Sequence, residues 1–433
     1  MTLDLADYAL EHGIKYFMIS FTDLLGSQRT KLAPAQAIAD MQANGAGFAG
    51  FATWLDMTPA HPDVLAMPDP QSVIQLPWKK EVAWVAADLV MSGQPVVQAP
   101  RVVLKKIRQQ AADLGLVIKT GVEVEFMLLT PDGKSLADPY DTALKPCYDQ
   151  MAIMRRYDMI SEISDYMLEM GWKPYQNDHE DGSGQFEMNW EFDDILLTAD
   201  RHSFFRFMLR TVAEKYGLRA TLMPKPFINL TGNGCHAHIS VWRGDQNAFA
   251  DKERDFGLSD EGRHFLGGIM RHAEALAAIC NPAVNSYKRI NAPRTASGSN
   301  WAPNAITWTG NNRTHMVRVP GPGRFELRLP DTAANPYLMQ AVIAAAGLSG
   351  MEKKADPGPH SDVDMYAQGH LMTDVPRLPL NLLDALRRFE EDKELTQMMG
   401  EEFSRAFINL KMLEWNRYAT HLSQWEIDNT LDI

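Results

Sequence analysis

Four short segments of this 433-residue chain alternate apolar residues with residues able to bind a cation. In a β-strand, residues two apart share a face. In Gly121-Val-Glu-Val-Glu-Phe126 that rule puts Glu123 and Glu125 opposite Val122, Val124 and Phe126. In Gln185-Phe-Glu-Met-Asn189 it groups Gln185, Glu187 and Asn189, and in Cys235-His-Ala-His-Ile-Ser240 it groups His236, His238 and Ser240. In Arg324-Phe-Glu-Leu-Arg328 it groups Arg324, Glu326 and Arg328. A solvated polar face would explain any one of these strands. Four polar sets rich in Glu and His, with hardly any Lys or Thr, point instead to faces that converge. A cluster of carboxylates is costly to bury without a cation among its members.

Carboxylates with one or two imidazoles and no thiolate suit a hard divalent ion, Mg²⁺ or Mn²⁺. The His-x-His pair alone is equally compatible with a structural role or half a zinc site. From Lys288 to Arg328 the chain carries seven bases (Lys288, Arg289, Arg294, Arg313, Arg318, Arg324, Arg328) against one acid, Glu326. An exposed basic loop would give the same count. However, Arg dominates, and its planar fork matches phosphate and carboxylate. Beside a metal site the natural ligands are a nucleoside triphosphate and an acidic substrate. Neither a Walker loop nor a kinase Gly-rich loop occurs, which excludes the common phosphoryl-transfer folds.

These faces need strands, and the rest of the chain supplies helices to cover them. Apolar residues make up 45% and charged residues 22%, and the length exceeds what one core usually fills. Helical spacing is expected over 5–12, 101–114, 148–170, 199–216, 260–280, 336–351, 380–398 and 401–418. Strands are expected over 15–21, 28–32, 82–91, 121–129, 184–190, 235–242, 314–319 and 324–329. Strands are not regularly followed by crossover helices, so the class is α+β with a largely antiparallel sheet. Gly93-Gln94-Pro95 to Pro100 marks a boundary between a small mixed domain, 1–98, and a larger one, 99–433. A net charge of −13 argues against nucleic acid, no stretch has the roughly 20 apolar residues of a membrane span, and the start lacks a leader's pattern. Three scattered cysteines fit a reducing compartment, so a cytoplasmic protein is expected.

The ordered segments Gly121–Phe126, Met223-Pro-Lys-Pro226 with Gly232-Asn-Gly-Cys-His-Ala-His238, Asn281–Arg289, Asn311-Asn-Arg313 and Phe325–Asp331 with Ala334–Tyr337 resemble the glutamine synthetase family over nearly the whole chain. The resemblance implies an N-terminal β-grasp domain and a catalytic domain of curved antiparallel strands and helices. It also implies a dodecamer of two hexameric rings with active sites between neighbours. Carried over by position, Glu125, Glu180 and Glu187 hold one metal and Glu123, His236 and Glu326 a second. His238, Ser240 and Arg324 contact ATP, Arg313 and Arg318 its phosphates, and Gly232, Arg289 and Arg328 glutamate. Arg313 and Arg328, with Trp301, are also the expected catalytic residues. Glu180 enters only through the resemblance. The implied reaction forms γ-glutamyl phosphate from glutamate and ATP, and an amine then displaces phosphate.

Two departures bear on the amine. The family's ammonium-binding Asp is replaced by Ala49, and the Glu of its flap aligns with Trp301. No Asp or Glu occurs from Ile290 to Phe325, although Asp56 or Asp63 could have moved into the role. A methyl-bearing amine fits such a pocket, with ammonia or a polyamine as alternatives. A structural relative without activity is disfavoured because all six metal ligands are present. Guanidino-phosphotransfer, which the same catalytic fold supports, would stop at phosphorylation. The family's adenylylated Tyr falls at Tyr366, without the flanking residues of the modified site. The uncharged Gly45–Trp54 segment, with Phe48, Phe51 and Trp54 expected on the surface, looks suited to packing on a neighbouring subunit.

Overall fold

The computed structural model describes residues 3–433. Strands Tyr16–Thr22 and Gln28–Pro34 form an antiparallel hairpin. Its turn is fixed by Asp23, whose Oδ1 accepts the backbone N–H groups of Leu25 and Ser27. Tyr16–Thr22 runs parallel to Val82–Met91, which pairs antiparallel with Val64–Pro68, and that strand with Ala46–Phe48. Alternate residues of Val82–Met91 face opposite ways. Ala83, Val85, Ala87 and Leu89 join a small core with Phe17, Ile19 and Phe21. Val82, Trp84 and Ala86 join the large core of the rest of the chain.

The second sheet runs in the order Trp308–Thr309, Val317–Gly321, Arg324–Leu327, Cys235–Arg243, Val117–Leu129, Gln185–Trp190 and Pro174–His179. These neighbours pair antiparallel except the first two, which are parallel. Its apolar face, including Val122, Val124, Phe186, Met188, Ala237, Ile239 and Phe325, lies in the large core. Helices Pro100–Asp113 and Ile195–Lys215 pack behind the sheet against Pro336–Lys353. Asn335 caps that last helix through the N–H groups of Tyr337 and Leu338, and Pro336 occupies its first turn. Every residue from Pro336 to Gly350 is buried, so the helix has no polar stripe.

The two cores are bolted together by Arg101, 5% exposed, which bonds Asp69, Asp88 and Asp200. The Tyr337 hydroxyl donates to Asp200 from the far side. Such a group is stable because every charge has a partner.

The structure departs from the sequence reading in particular places. The expected helices 148–170, 260–280 and 380–398 are each broken, at Arg156, His272 and Asp392. Apolar periodicity runs through all three breaks, which is why it does not reveal them. Phe48 is buried rather than exposed: it sits on the core side of its strand, edge-on to Phe21 at 5.0 Å between centroids. Phe51 and Trp54 are exposed as expected.

Candidate active site

The register of the second sheet sets the polar faces side by side. Glu125 lies directly opposite Glu187, His236 opposite Glu123, and His238 opposite Glu326. Like charges facing each other across a ladder destabilise it. A pair such as Glu125 and Glu187 therefore marks a place where something else supplies positive charge.

Three groups have ligand atoms all within 4.8 Å: Glu123, His236 and Glu326; Glu125, Glu187 and His236; and Asp178, Glu180 and Glu187. His236 Nδ1 lies 3.2 Å from Glu123 and 3.7 Å from Glu326, and its Nε2 lies 4.0 Å from Glu125. His236 Nε2 is buried with no hydrogen-bond partner. Buried polar atoms are rarely left so. The donor set of carboxylate oxygens and one imidazole, with that orphaned nitrogen among them, fits hard divalent cations.

The electrostatics agree. Burial, then the charges of Glu123, Glu180 and Glu125, push the Glu187 carboxyl well above its ordinary range. Burial and Glu125 likewise push Glu180 up to about 8. Burial opposes ionisation of Glu326 too, but Arg328 and His236 hold it down at about 2. Glu123 is buried as well, yet the His236 and His238 imidazoles keep it far below the usual carboxylate range. One side of the cluster is thus partnered by Arg328 and the two imidazoles, while Glu180 and Glu187 have only carboxylates as charged neighbours.

Glycines keep the site tight. The Gly234 N–H donates to Glu125 at 2.6 Å, and a Cβ there would stand 2.6 Å from His236 Nε2 and 2.8 Å from an Arg289 nitrogen. A Cβ on Gly232 would meet the Pro224 carbonyl at 2.3 Å. Gln185 ties the loop to the sheet, donating to Glu125, the Gly232 carbonyl and Asn233.

Among the expected arginines, Arg289 is buried against the carbonyls of Leu329 and Arg328. Arg318 and Arg328 both bond Glu326, the former at 2.8 Å. Arg313 is exposed and its side chain reaches the Tyr148 hydroxyl. Arg324 lines a cavity of about 580 Å³ together with Glu123, His238 and Ser240, and with the rings of Tyr175 and Trp242. The cavity offers aromatic faces and bases beside the acidic cluster.

Residues 291–307 form a loop over the other end. Trp301 has φ 53, uncommon for a bulky residue, and its buried indole N–H has no partner. Its ring stands edge-on to Tyr366 at 5.8 Å. Burial pushes the Tyr366 hydroxyl up to about 12 against the pull of neighbouring Arg328 and Arg289. The Tyr366 backbone carbonyl also accepts from Arg294, so the loop is pinned at this residue. The acid that reaches the loop is Asp181, bonded by Ser297, by Thr231 at 2.7 Å and by the Cys147 thiol. None of the residues lining the cavities beside the acidic cluster and under this loop comes from the first 99 positions, so Ala49 lines neither cavity.

Asp178, Asp181 and Tyr366 belong to the site, and the strand-face reading finds none of them. Asp178 is the penultimate residue of a strand, Pro174–His179, that is polar on both faces and leaves no apolar alternation to read. Glu180 lies just beyond it, positioned by its backbone pairing with Gln185.

Residues 97–430 match the family model described as glutamine synthetase, catalytic domain. Proteins named glutamine synthetase from Rhizobium leguminosarum bv. phaseoli and Rhizobium meliloti (strain 1021) are 71% and 69% identical, each alignment covering 100% of both chains. A glutamate–methylamine ligase from Methyloversatilis universalis is 41% identical over 98% of this chain and 97% of its own. The solved structure of a GmaS–ADP complex (γ-glutamylmethylamide synthetase) superposes with a TM-score of 0.96 at 58% identity, over 100% of both chains.

Proposed function

The chain belongs to the glutamine synthetase family of ATP-dependent carbon–nitrogen ligases, and we propose that it joins glutamate to a small primary alkylamine, methylamine foremost. The observation that carries this reading is the loop from 291 to 307: it holds no acid, and it presents Trp301 against Tyr366 beside Arg328 and Arg289. Asp181 reaches the loop, but both its oxygens are engaged by Ser297, Thr231 and Cys147. An ammonium ion needs carboxylates to replace its water. A methyl group gains roughly 0.8 kcal/mol on burial, and its cationic head can rest on an aromatic face.

In the proposed mechanism Arg289, Arg328 and the Gly232 loop hold glutamate, while Arg313 and Arg318 face the phosphates of ATP bound near His238, Ser240 and Arg324. Glu125, Glu180 and Glu187, with Asp178, would hold one divalent cation, and Glu123, His236 and Glu326 another, Mg²⁺ or Mn²⁺. When bound, these ions neutralise charge on the phosphates. A γ-carboxylate oxygen of glutamate attacks the terminal phosphorus and ADP leaves. The amine nitrogen then attacks the γ-carbonyl carbon, phosphate leaves with the C–O bond electrons, and the extra amine proton passes to solvent. Ala49 would complete the pocket from a neighbouring subunit of a ring dodecamer, with exposed Phe51 and Trp54 buried at that contact.

Ammonia is the second reading, favoured by the rhizobial relatives named glutamine synthetase. Phosphate release with ATP, Mg²⁺ and glutamate, measured against ammonia, methylamine, ethylamine and putrescine, separates the two. A higher kcat/KM for methylamine than for ammonia is expected, by a modest factor since one methyl discriminates only about 10- to 200-fold. A higher value for ammonia would overturn the choice.

A further inference from the structure

On another part of the molecule lies a cavity of about 730 Å³ that shares no lining residue with those of the active site. Three guanidinium groups line it: Arg206 and Arg210 from helix Ile195–Lys215, and Arg219 from strand Arg219–Thr221. Arg206 and Arg210 are four residues apart and therefore share a helix face. Arg219 reaches the cavity past the Thr130–Ser135 turn, where Gly133 leaves room: a Cβ there would stand 3.0 Å from its guanidinium.

The informative residue is Arg206. It is 8% exposed, and its recorded hydrogen bond is to the Ala334 carbonyl at 3.1 Å. Among the described residues no carboxylate lies within 4.0 Å of Arg206, Arg210 or Arg219, although Glu214 also borders the cavity. A buried charge is ordinarily paired, and one without a partner is costly. In a chain with net charge −13, one buried arginine without a carboxylate partner, flanked by two exposed ones around the same cavity, requires an explanation. Burial and Arg210 together hold Arg206 down at about 10, and burial and Arg219 lower Arg210 in turn, so the three repel one another in sequence. Each would be relieved by the same anion.

We propose that this cavity is a second ligand site, for a small oxyanion of charge two or more, bound by the forks of Arg206, Arg210 and Arg219. The shared chemistry is that of a phosphate group or a short dicarboxylate, both of which accept paired N–H bonds from Arg. The cavity wall continues through Met223 and Pro224. Their carbonyls accept from Asn233, beside Gly232 in the proposed glutamate loop, so the ligand would sit against the back of that loop.

Isothermal titration of the intact, metal-free protein with inorganic phosphate and, separately, with malonate tests this. The comparison variant is Arg210→Gln/Arg219→Gln, because both side chains are exposed and their loss leaves the core intact. Binding by the wild type that weakens roughly tenfold or more in the double variant is expected, since a hydrogen bond to a charged group contributes about 1.5–3 kcal/mol. A response to phosphate alone identifies a phosphoryl ligand, and one to malonate alone a dicarboxylate. Identical isotherms for the two proteins, or no heat with either probe, would overturn the assignment.

Discussion

Replacing Gly234 by Ala adds one methyl group at the place where sheet, metal cluster and glutamate loop meet. The new carbon would stand 2.6 Å from His236 Nε2 and 2.8 Å from an Arg289 nitrogen. Ordinary contact begins at about 3.4 Å, so the imidazole must retreat by about 0.8 Å and the guanidinium by about 0.6 Å. Overpacking of this kind costs about 1–3 kcal/mol of stability. The functional loss should be larger, because metal–ligand distances tolerate only about 0.2 Å. A displaced His236 should weaken cation binding about 10- to 100-fold, or roughly 1.4–2.7 kcal/mol. The assay is the rise in melting temperature on adding Mn²⁺ to metal-free protein, beside steady-state phosphate release. A Gly234→Ala protein with wild-type Mn²⁺ response and turnover would refute the argument that His236 Nε2 faces a cation.

The remaining predictions concern charge. Glu326→Ala should abolish turnover and cost about 3–5 kcal/mol in urea unfolding, because it strands Arg318 and Arg328. Glu125→Ala should abolish turnover with little loss of fold, because it relieves the repulsion from Glu187; equal stability of the two variants would count against this account of the cluster. Arg101→Met should cost about 3–5 kcal/mol by leaving Asp200 buried beside Asp69 and Asp88 without its cation, and a cost under about 1 kcal/mol would remove the bolt between the cores. Burial first, and then Arg206, hold His202 down at about 3, and both its ring nitrogens lack partners. Its contribution to stability is therefore complete above the unfolded pKa of about 6.5 and is lost as pH falls toward 3. Between pH 6.5 and 4.5 that loss is roughly 2–3 kcal/mol, so His202→Phe should flatten the acid limb of melting temperature against pH, and an unchanged limb would sink the idea.

The parts of the site that could be read from sequence lie on strands with one apolar face. Glu123, Glu125, Glu187, His236, His238 and Glu326 alternate with Val, Phe, Met, Ala and Leu, and the core accepts those partners as period 2 requires. Asp178 escapes the rule because its strand carries no apolar alternation, Glu180 lies beyond that strand's end, and Tyr366 and Asp181 sit in loops whose positions depend on distant contacts. Phe48 shows the converse limit. Three residues of strand in a Gly-rich stretch carry too little pattern to tell an inward Phe from an outward one, and only the pairing with Val64–Pro68 decides it. The Arg206 cavity is invisible in the sequence because two arginines four residues apart on a helix read as a solvated face, whereas this helix is buried on nearly every side.

A strand whose two faces belong to different cores, as Val82–Met91 does, has a consequence for how substrates enter. Swinging the N-terminal lobe away would bare Trp84 on one side and break the Arg101 cluster at its edge. Lobe-over-lobe opening, the usual motion where two units share a thin polar contact, is therefore closed to this architecture. Traffic through the site must instead be governed by small parts, and the tryptophan loop, latched by Ser297 to Asp181 and by Arg294 to Tyr366, is built at that scale. A handful of hydrogen bonds rather than a domain interface would set how often the doorway stands open.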